Sequence, residues 1–300
     1  MVDVSLTDSI MSFAIPGKHC RGRVVRLGPA LDDILASHDY PPLIREILAE
    51  AVCLTAMLGA LLKDEGSQLT LQAQTEAGVI NLLACDYRDG ALRGYVDFDR
   101  ERLLSQPVAP SLMALFGKGY LAITFDQPAP RGRNQGIVPL EGASLAEAVQ
   151  NYFFQSEQIP TLIRVAIEQS AGGISAGGLL VQHLPEGEQG RERLHVQLDH
   201  PEWEHVEIMG GTITPEELTD SALPLEDILW RLFSESDEVR VLSGKPCVKG
   251  CRCNEDHIRD VIARFPKEDK EDMVNEDGNI AIDCAFCSKT FTITGTSLNN

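Results

Sequence analysis

Four cysteines near the end of the chain form two close pairs, Cys251-Arg252-Cys253 and Cys284-Ala285-Phe286-Cys287, with thirty residues between the pairs. Thiolate sulfur suits zinc, which takes four ligands in a tetrahedron. A C-x-x-C turn brings two sulfurs to one ion. In C-x-C, an extended backbone sends both side chains to the same face, so that pair can reach the same ion. The spacing therefore predicts one zinc ion held by Cys251, Cys253, Cys284 and Cys287. A site with four thiolates has no open coordination position, which argues against zinc-dependent hydrolysis.

The surrounding segment needs the metal. Fifty residues follow Gly250, and their large apolar side chains are few: Ile258, Val261, Ile262, Phe265, Ile280, Ile282, Phe286 and Phe291. Structural zinc contributes roughly 10–16 kcal/mol at neutral pH, enough to decide whether such a module folds. The loop from Asn254 to Gly278 carries nine acids against four bases and coheres weakly without a metal. Two readings of the site follow. One is a passive structural zinc in a ribbon-like tail that recruits a protein partner. The other is a redox switch, because thiolates stay nucleophilic toward strong oxidants, and oxidised sulfur no longer holds zinc. A thiol–disulfide oxidoreductase using C-x-x-C is a weaker third reading, since Cys284 does not open a helix in a βαβ unit.

Other residue types give little chemistry. Cys20, Cys53 and Cys85 read as buried small hydrophobes, and Cys247 as a spare thiol beside the site. His257 is not needed by a site that already has four thiolates. His195, His200 and His205 have acidic neighbours but no H-E-x-x-H pattern. The stretch Gly172–Gly178 lacks the Lys-Ser/Thr of a phosphate loop and precedes a strand. No G-x-S-x-G is present.

The elements that must position the cysteines can be followed along the chain. Arg21 to Leu27 reads as a strand, and Pro41-Pro42 opens a long helix from Leu43 to Lys63. Gln68 to Glu76 alternates as a half-buried strand. Val79 to Tyr87 and Leu92 to Phe98 flank an Asp89-Gly90 hairpin turn. Tyr120 to Phe125, Ile137 to Leu140 and Leu179 to His183 are further strands. Ser144 with Glu147 reads as a capping box for a helix reaching about Gln155. Strands and helices mix without strict alternation, which predicts an α+β domain with a largely antiparallel sheet, ending near Leu184. Pro185 to Arg193 is polar and marks a boundary. Thr214, Pro215 and Glu217 then start a helix, and Pro224 opens another. In that second helix Leu225, Ile228, Leu229, Leu232 and Phe233 form an i, i+3, i+4, i+7, i+8 stripe. At rest the stripe packs on the main domain; the functional reading is that this packing can be released. The division is thus an N-terminal α+β core over 1–192, a helical linker over 193–246 and a zinc-binding module over 247–300.

Composition excludes some partners. The net charge is −19 over 300 residues, so nucleic acid and anionic membrane surfaces repel the chain. Met1 to Gly17 lacks the pattern of a secretory signal, and Val52 to Leu62 is too short to span a bilayer. The expected location is the cytoplasm, where clustered cysteines bind metal or do redox work more often than they form permanent disulfides.

CRCNEDHIRDVIARF and EDGNIAIDCAFCSKTFTI, together with FAIPGKHCRGRVVRLG, NYFFQSEQIPT, GGLLVQHLPE and PLEDILWRLFSE upstream, resemble the heat shock protein 33 family of redox-regulated holdase chaperones. The resemblance covers nearly the whole chain. It implies an α+β N-terminal domain, a helical linker and a C-terminal zinc domain, inactive and monomeric when reduced and zinc-bound. It implies that oxidants such as hypochlorous acid, or peroxide with heat, form disulfides between the paired cysteines and release zinc. The zinc domain and linker then unfold, dimers form, and unfolding client proteins are held without ATP. Carried over by motif position, Cys251, Cys253, Cys284 and Cys287 are both zinc ligands and redox centres. Cys247 departs from the family's four-ligand set: it is a spare thiol near the site or, in the alternative, swaps in as a ligand or joins a different disulfide, which would break a simple scheme of two disulfides. The expected function is a chaperone and not an enzyme.

Overall fold

The structure is a computed structural model and describes residues 7–76, 78–184 and 201–294. The chain opens with an antiparallel hairpin of β1 (Ser9–Ile15) and β2 (Cys20–Leu27). Helices α1 (Pro29–Leu35) and α2 (Pro42–Gly59) follow. Then come β3 (Gln68–Glu76), β4 (Ile80–Arg88) and β5 (Ala91–Phe98), the short helices α3 (Arg100–Leu104) and α4 (Leu112–Phe116), and β6 (Lys118–Gln127) with β7 (Gly132–Pro139). Helix α5 (Leu145–Tyr152) leads to the hairpin β8 (Thr161–Ser170) and β9 (Gly173–His183).

Three helices pack beyond: α6 (Pro201–Gly211), α7 (Pro215–Thr219) and α8 (Leu225–Phe233). Strands β10 (Arg240–Pro246) and β11 (Val248–Lys249) lead into the cysteine module. That module contains α9 (Glu255–Ala263), α10 (Lys267–Asp272) and the hairpin β12 (Asn279–Asp283) with β13 (Thr290–Thr294).

Two sheets sandwich α2. One has the order β10-β1-β2-β9-β8 and the other β11-β5-β4-β3-β6-β7. All pairings are antiparallel except β11 with β5. The architecture is therefore the expected α+β with largely antiparallel sheets, and it continues into a small module with its own hairpin. Helix α2 is apolar on nearly every side because it has sheet on both sides. Thirteen of its residues from Ile44 to Gly59 are buried. It stops at Gly59, earlier than Lys63, where the Tyr87 ring lies so close that a Cβ would clash with it. The Asp89-Gly90 turn has both residues at positive φ, 50° and 89°, as a type I′ hairpin turn requires.

The five-stranded sheet is buried on both faces. Val25 and Leu27 face α2, while Phe13, Val24, Leu179 and Val181 face α6, α7 and α8. Thr214 and Glu217 form a reciprocal capping box at α7. At α5 the expected box is only half formed. Ser144 accepts from the Glu147 N–H, but the Glu147 carboxylate accepts from Ala143 N–H at 2.7 Å. The α-helix there ends at Tyr152 and runs into a π-type turn over Phe153–Glu157.

One expectation needs correction. The sequence pattern predicts a helical linker over 193–246; among the described residues its helices end at Phe233, and Arg240–Pro246 is a strand paired with β1. The pairing is long-range: Ser9 stands opposite Pro246. Local pattern carried no sign of it, because Gly244 and Pro246 break the alternation that marks a strand. Pro185 to Arg193, His195 and His200 lie outside the described residues.

Candidate metal centre

Strand β11 carries the chain along β5. Val248 N–H donates to the Gly90 carbonyl at 3.0 Å and Gly250 N–H to the Leu92 carbonyl at 2.8 Å. Immediately after it stand Cys251 and Cys253, half-buried. Cys284 and Cys287 lie on the turn that links β12 to β13. Cys284 N–H donates to the Lys289 carbonyl at 2.9 Å, and Ser288 N–H to the Cys284 carbonyl at 2.8 Å. Ser288 takes φ 56°, which closes the turn.

The fold brings these four sulfurs, and no other group of His, Cys, Asp or Glu among the described residues, into one cluster within 4.8 Å. Sγ–Sγ distances are 3.3 Å for Cys251–Cys253, 3.6 Å for Cys251–Cys284 and 3.4 Å for Cys253–Cys287. Tetrahedral thiolates at a metal–sulfur length of about 2.3 Å stand about 3.8 Å apart. The donor set, its number and its spacing fit a zinc-sized ion.

The protons are unevenly held. At Cys251 burial pushes the pKa up. Hydrogen bonds from the Cys253 N–H and from the thiols of Cys253, Cys284 and Cys287 outweigh that and bring it down to about 7. Burial, then donation within the cluster, raises Cys253. Burial is also the leading cause at Cys284, which is raised as well. The other thiols are in inert surroundings. Burial pushes Cys20 and Cys247 up to about 12 and raises Cys53 and Cys85. Cys20, Cys53 and Cys85 are thus the small buried hydrophobes expected. Cys247 is buried too, with its N–H on the Asp8 carbonyl at 2.7 Å, and stands outside the sulfur cluster. His257 is exposed, and His205 belongs to no metal-ligating group.

The module's own core is very small. Ile262, Ile280 and Ile293 form its buried cluster, with Ile258 and Ile282 packed against them, and Phe291 is buried as well. Val261 and Phe265, counted from sequence as core, are each 41% exposed.

The stripe residues Leu225, Ile228, Leu229, Leu232 and Phe233 are all buried in the docked helix α8. They pack on the outer face of the five-stranded sheet, where the Phe233 ring stacks on Phe13 at 5.6 Å. Sequence reasoning missed the polar anchor beneath them. Arg26 of β2 is wholly buried, and its guanidinium donates to the carbonyls of Glu217 and Leu218 at 2.9 Å each and to that of Leu223. Gly177 lets α7 approach the sheet: a Cβ there would stand 2.1 Å from the Leu218 carbonyl oxygen.

A four-thiolate module tethered to a two-sheet α+β body, with a helical segment packed over one sheet, defines the class. The family model described as Hsp33 protein matches residues 8–294. A 33 kDa chaperonin of Caulobacter vibrioides is 39% identical over 296 residues, covering 96% of this chain and 95% of the relative. One of Nitrosococcus oceani is 34% identical over 287 residues, covering 95% and 90%. The crystal structure of a 33 kDa chaperonin from Thermotoga maritima superposes with a TM-score of 0.77 at 21% identity, covering 97% of this chain and 96% of that one. The chain belongs to the Hsp33 family, which is a family of chaperones and not of enzymes.

Proposed function

We propose that this chaperone is an ATP-independent holdase switched on by oxidation of a zinc–thiolate centre. The observation that carries the reading is the four-sulfur cluster at metal-binding spacing in a module whose buried apolar side chains are three isoleucines and Phe291. Zinc, when bound by Cys251, Cys253, Cys284 and Cys287, supplies a crosslink and the folding free energy that this core lacks.

Oxidation works on the sulfurs. A thiolate attacks the chlorine of hypochlorous acid, giving a sulfenyl chloride and hydroxide. The neighbouring thiolate then attacks that sulfur and expels chloride. Each pair gives up two electrons and becomes a disulfide, so two equivalents of oxidant convert all four ligands. Proximity in the folded module does not select the pairing, because Cys253 is 3.3 Å from Cys251 and 3.4 Å from Cys287. Once the module loosens, partners with one or two residues between them stay together while the others separate, which favours Cys251 with Cys253 and Cys284 with Cys287.

The division into a core over 1–192, a linker over 193–246 and a zinc module over 247–300 belongs to this reading, with β10 serving as the linker's strand on the core sheet. Unfolding of the module removes the C-terminal support of that strand and of α8. The stripe from Leu225 to Phe233 and the sheet beneath it then become available to unfolding client proteins and to a second copy of the chain, giving an oxidised homodimer. The setting is the cytoplasm. Nucleic acid and membrane are not partners: the chain is strongly acidic, and among the described residues no helix is long and apolar enough to cross a membrane. The test is zinc release and suppression of client aggregation, followed together on one oxidised sample and reversed by a thiol reductant with zinc.

A passive zinc tail that recruits a partner is the second reading. It is favoured by the exposed Trp230 and Ile208 on the outer faces of α8 and α6 in the resting state, at 70% and 60%. It expects no gain of apolar surface on oxidation.

A further inference from the structure

Both ligand pairs enclose a spacer that docks on the same place. Arg252 stands between Cys251 and Cys253, and Phe286 between Ala285 and Cys287. The Arg252 guanidinium reaches the six-stranded sheet, donating from Nη2 to Asp86 Oδ2 and to Gln68 Oε1, each at 3.1 Å. Phe286 lies under the guanidinium of Arg93, whose Cζ is 3.9 Å from the ring centroid. Arg93 in turn donates from Nε to the same Asp86 oxygen at 2.7 Å. The other oxygen of Asp86 accepts from Thr70 Oγ1 at 2.7 Å. Asp86 faces outward on β4, yet its side chain is only 4% exposed, while Arg93 and Arg252 are 19% and 26% exposed.

Two guanidiniums, one from the sheet and one from the cysteine module, therefore share one buried carboxylate. With Asp86 present the contact is attractive. Without its charge, two cations face each other across the same partly desolvated contact, and the interaction changes sign. Backbone geometry at the ligands sets where Arg252 and Phe286 point, so loss of the sulfur cluster would misplace both spacers together.

We propose that Asp86, bridging Arg252 and Arg93, is a latch that holds the cysteine module on the six-stranded sheet and sets how readily oxidation detaches it. This rests on the switch reading above and adds to it the residues that fix its threshold. Asp86 and Arg93 act through Arg252 and Phe286 as positioning residues.

The experiment uses the zinc-loaded, reduced full chain as wild type, Asp86→Asn, Arg252→Gln and the double variant. Two quantities are measured: protease cleavage in the segment 254–278 before oxidation, and the rate of zinc release to a chromogenic chelator under peroxide at raised temperature. The latch predicts one zinc per chain in all four proteins. It also predicts cleavage and zinc release about ten-fold faster in Arg252→Gln and faster still in Asp86→Asn, where the two guanidiniums face each other unneutralised, with the double variant back near Arg252→Gln, as coupled partners behave. Wild-type rates in Asp86→Asn, or effects that multiply in the double variant, overturn it. If Asp86→Asn does not fold, Arg252→Gln against Arg252→Lys decides: a lysine that restores both readouts supports the latch, and one that leaves them at the Gln level overturns it. The protease readout precedes oxidation. A wild type that loses zinc without gaining holdase activity thus counts against the switch reading and leaves the latch to be judged on cleavage alone.

Discussion

Arg26 and Leu218 are joined across the contact between β2 and α7: the buried guanidinium donates from Nε to the Leu218 carbonyl oxygen at 2.9 Å. The same guanidinium satisfies Glu217 and Leu223, so one side chain of β2 fastens both α7 and the entrance to α8. Among the described residues its hydrogen-bond partners are backbone carbonyls and no carboxylate. Burial lowers the Arg26 pKa, with Asp220 partly offsetting that.

Arg26→Ala leaves three carbonyls without their donor, each costing about 1–3 kcal/mol where water cannot replace it. The expected outcome is a linker loosened in the reduced, zinc-loaded protein. Binding of a hydrophobic dye and hydrogen exchange over Pro215–Phe233 both rise while zinc stoichiometry stays at wild type. Unchanged exchange in α7 would show that the anchor is dispensable.

Gly177→Ala tests the same contact from the backbone side. The added methyl would meet the Leu218 carbonyl oxygen at 2.1 Å, and neither the strand nor the helix can give that much without moving. We expect α7 to lift from β9 and the exchange pattern to match Arg26→Ala, with the two-sheet core around α2 unaffected. A wild-type melting curve and exchange map would contradict this.

On α8, neighbours in sequence should behave differently. Leu229→Ala opens a cavity against the sheet and should cost about 2–5 kcal/mol of linker docking, lowering the temperature at which client binding appears. Trp230 is 70% exposed, so Trp230→Ala should leave docking within about 0.5 kcal/mol of wild type. Thermal unfolding followed at α8 checks both, and equal effects would place the stripe wrongly.

Metal removal should act locally. Three buried isoleucines and Phe291 contribute about 1.5–3 kcal/mol each, against roughly 1–2 kcal/mol of backbone entropy for every residue ordered. A strong chelator under reducing conditions should therefore melt the hairpin Asn279–Thr294 and α9 but leave the sheets intact. Cys284→Ser should do the same without chelator. Cys247→Ser, at a buried site outside the sulfur cluster, should bind one zinc as wild type does. Amide exchange resolved by segment and a zinc count per chain are the measurements. A folded, exchange-protected hairpin without metal would refute the energetic argument.

Much of this was legible in the sequence because its signals are local. C-x-C, C-x-x-C, Asp89-Gly90, the Thr214–Glu217 capping box and the stripe on α8 each depend on residues within a few positions of one another. What stayed hidden depends on distant partners. Strand β10 exists because β1, at the other end of the chain, offers it an edge. Arg26 is one more basic residue of a strand until the carbonyls of Glu217, Leu218 and Leu223 are placed over it. Asp86 is one more acid in a strand until Arg252, 166 positions later, covers it. Cys247 could not be told apart from a spare ligand until the fold buried it beside Asp8.

The central claim is tested most directly by oxidising one zinc-loaded sample with hypochlorous acid while recording zinc release and suppression of client aggregation together. The account predicts that both appear on the same time course and that both reverse with a thiol reductant and zinc. Full release of zinc with no gain in aggregation suppression would contradict it and leave the metal a structural crosslink.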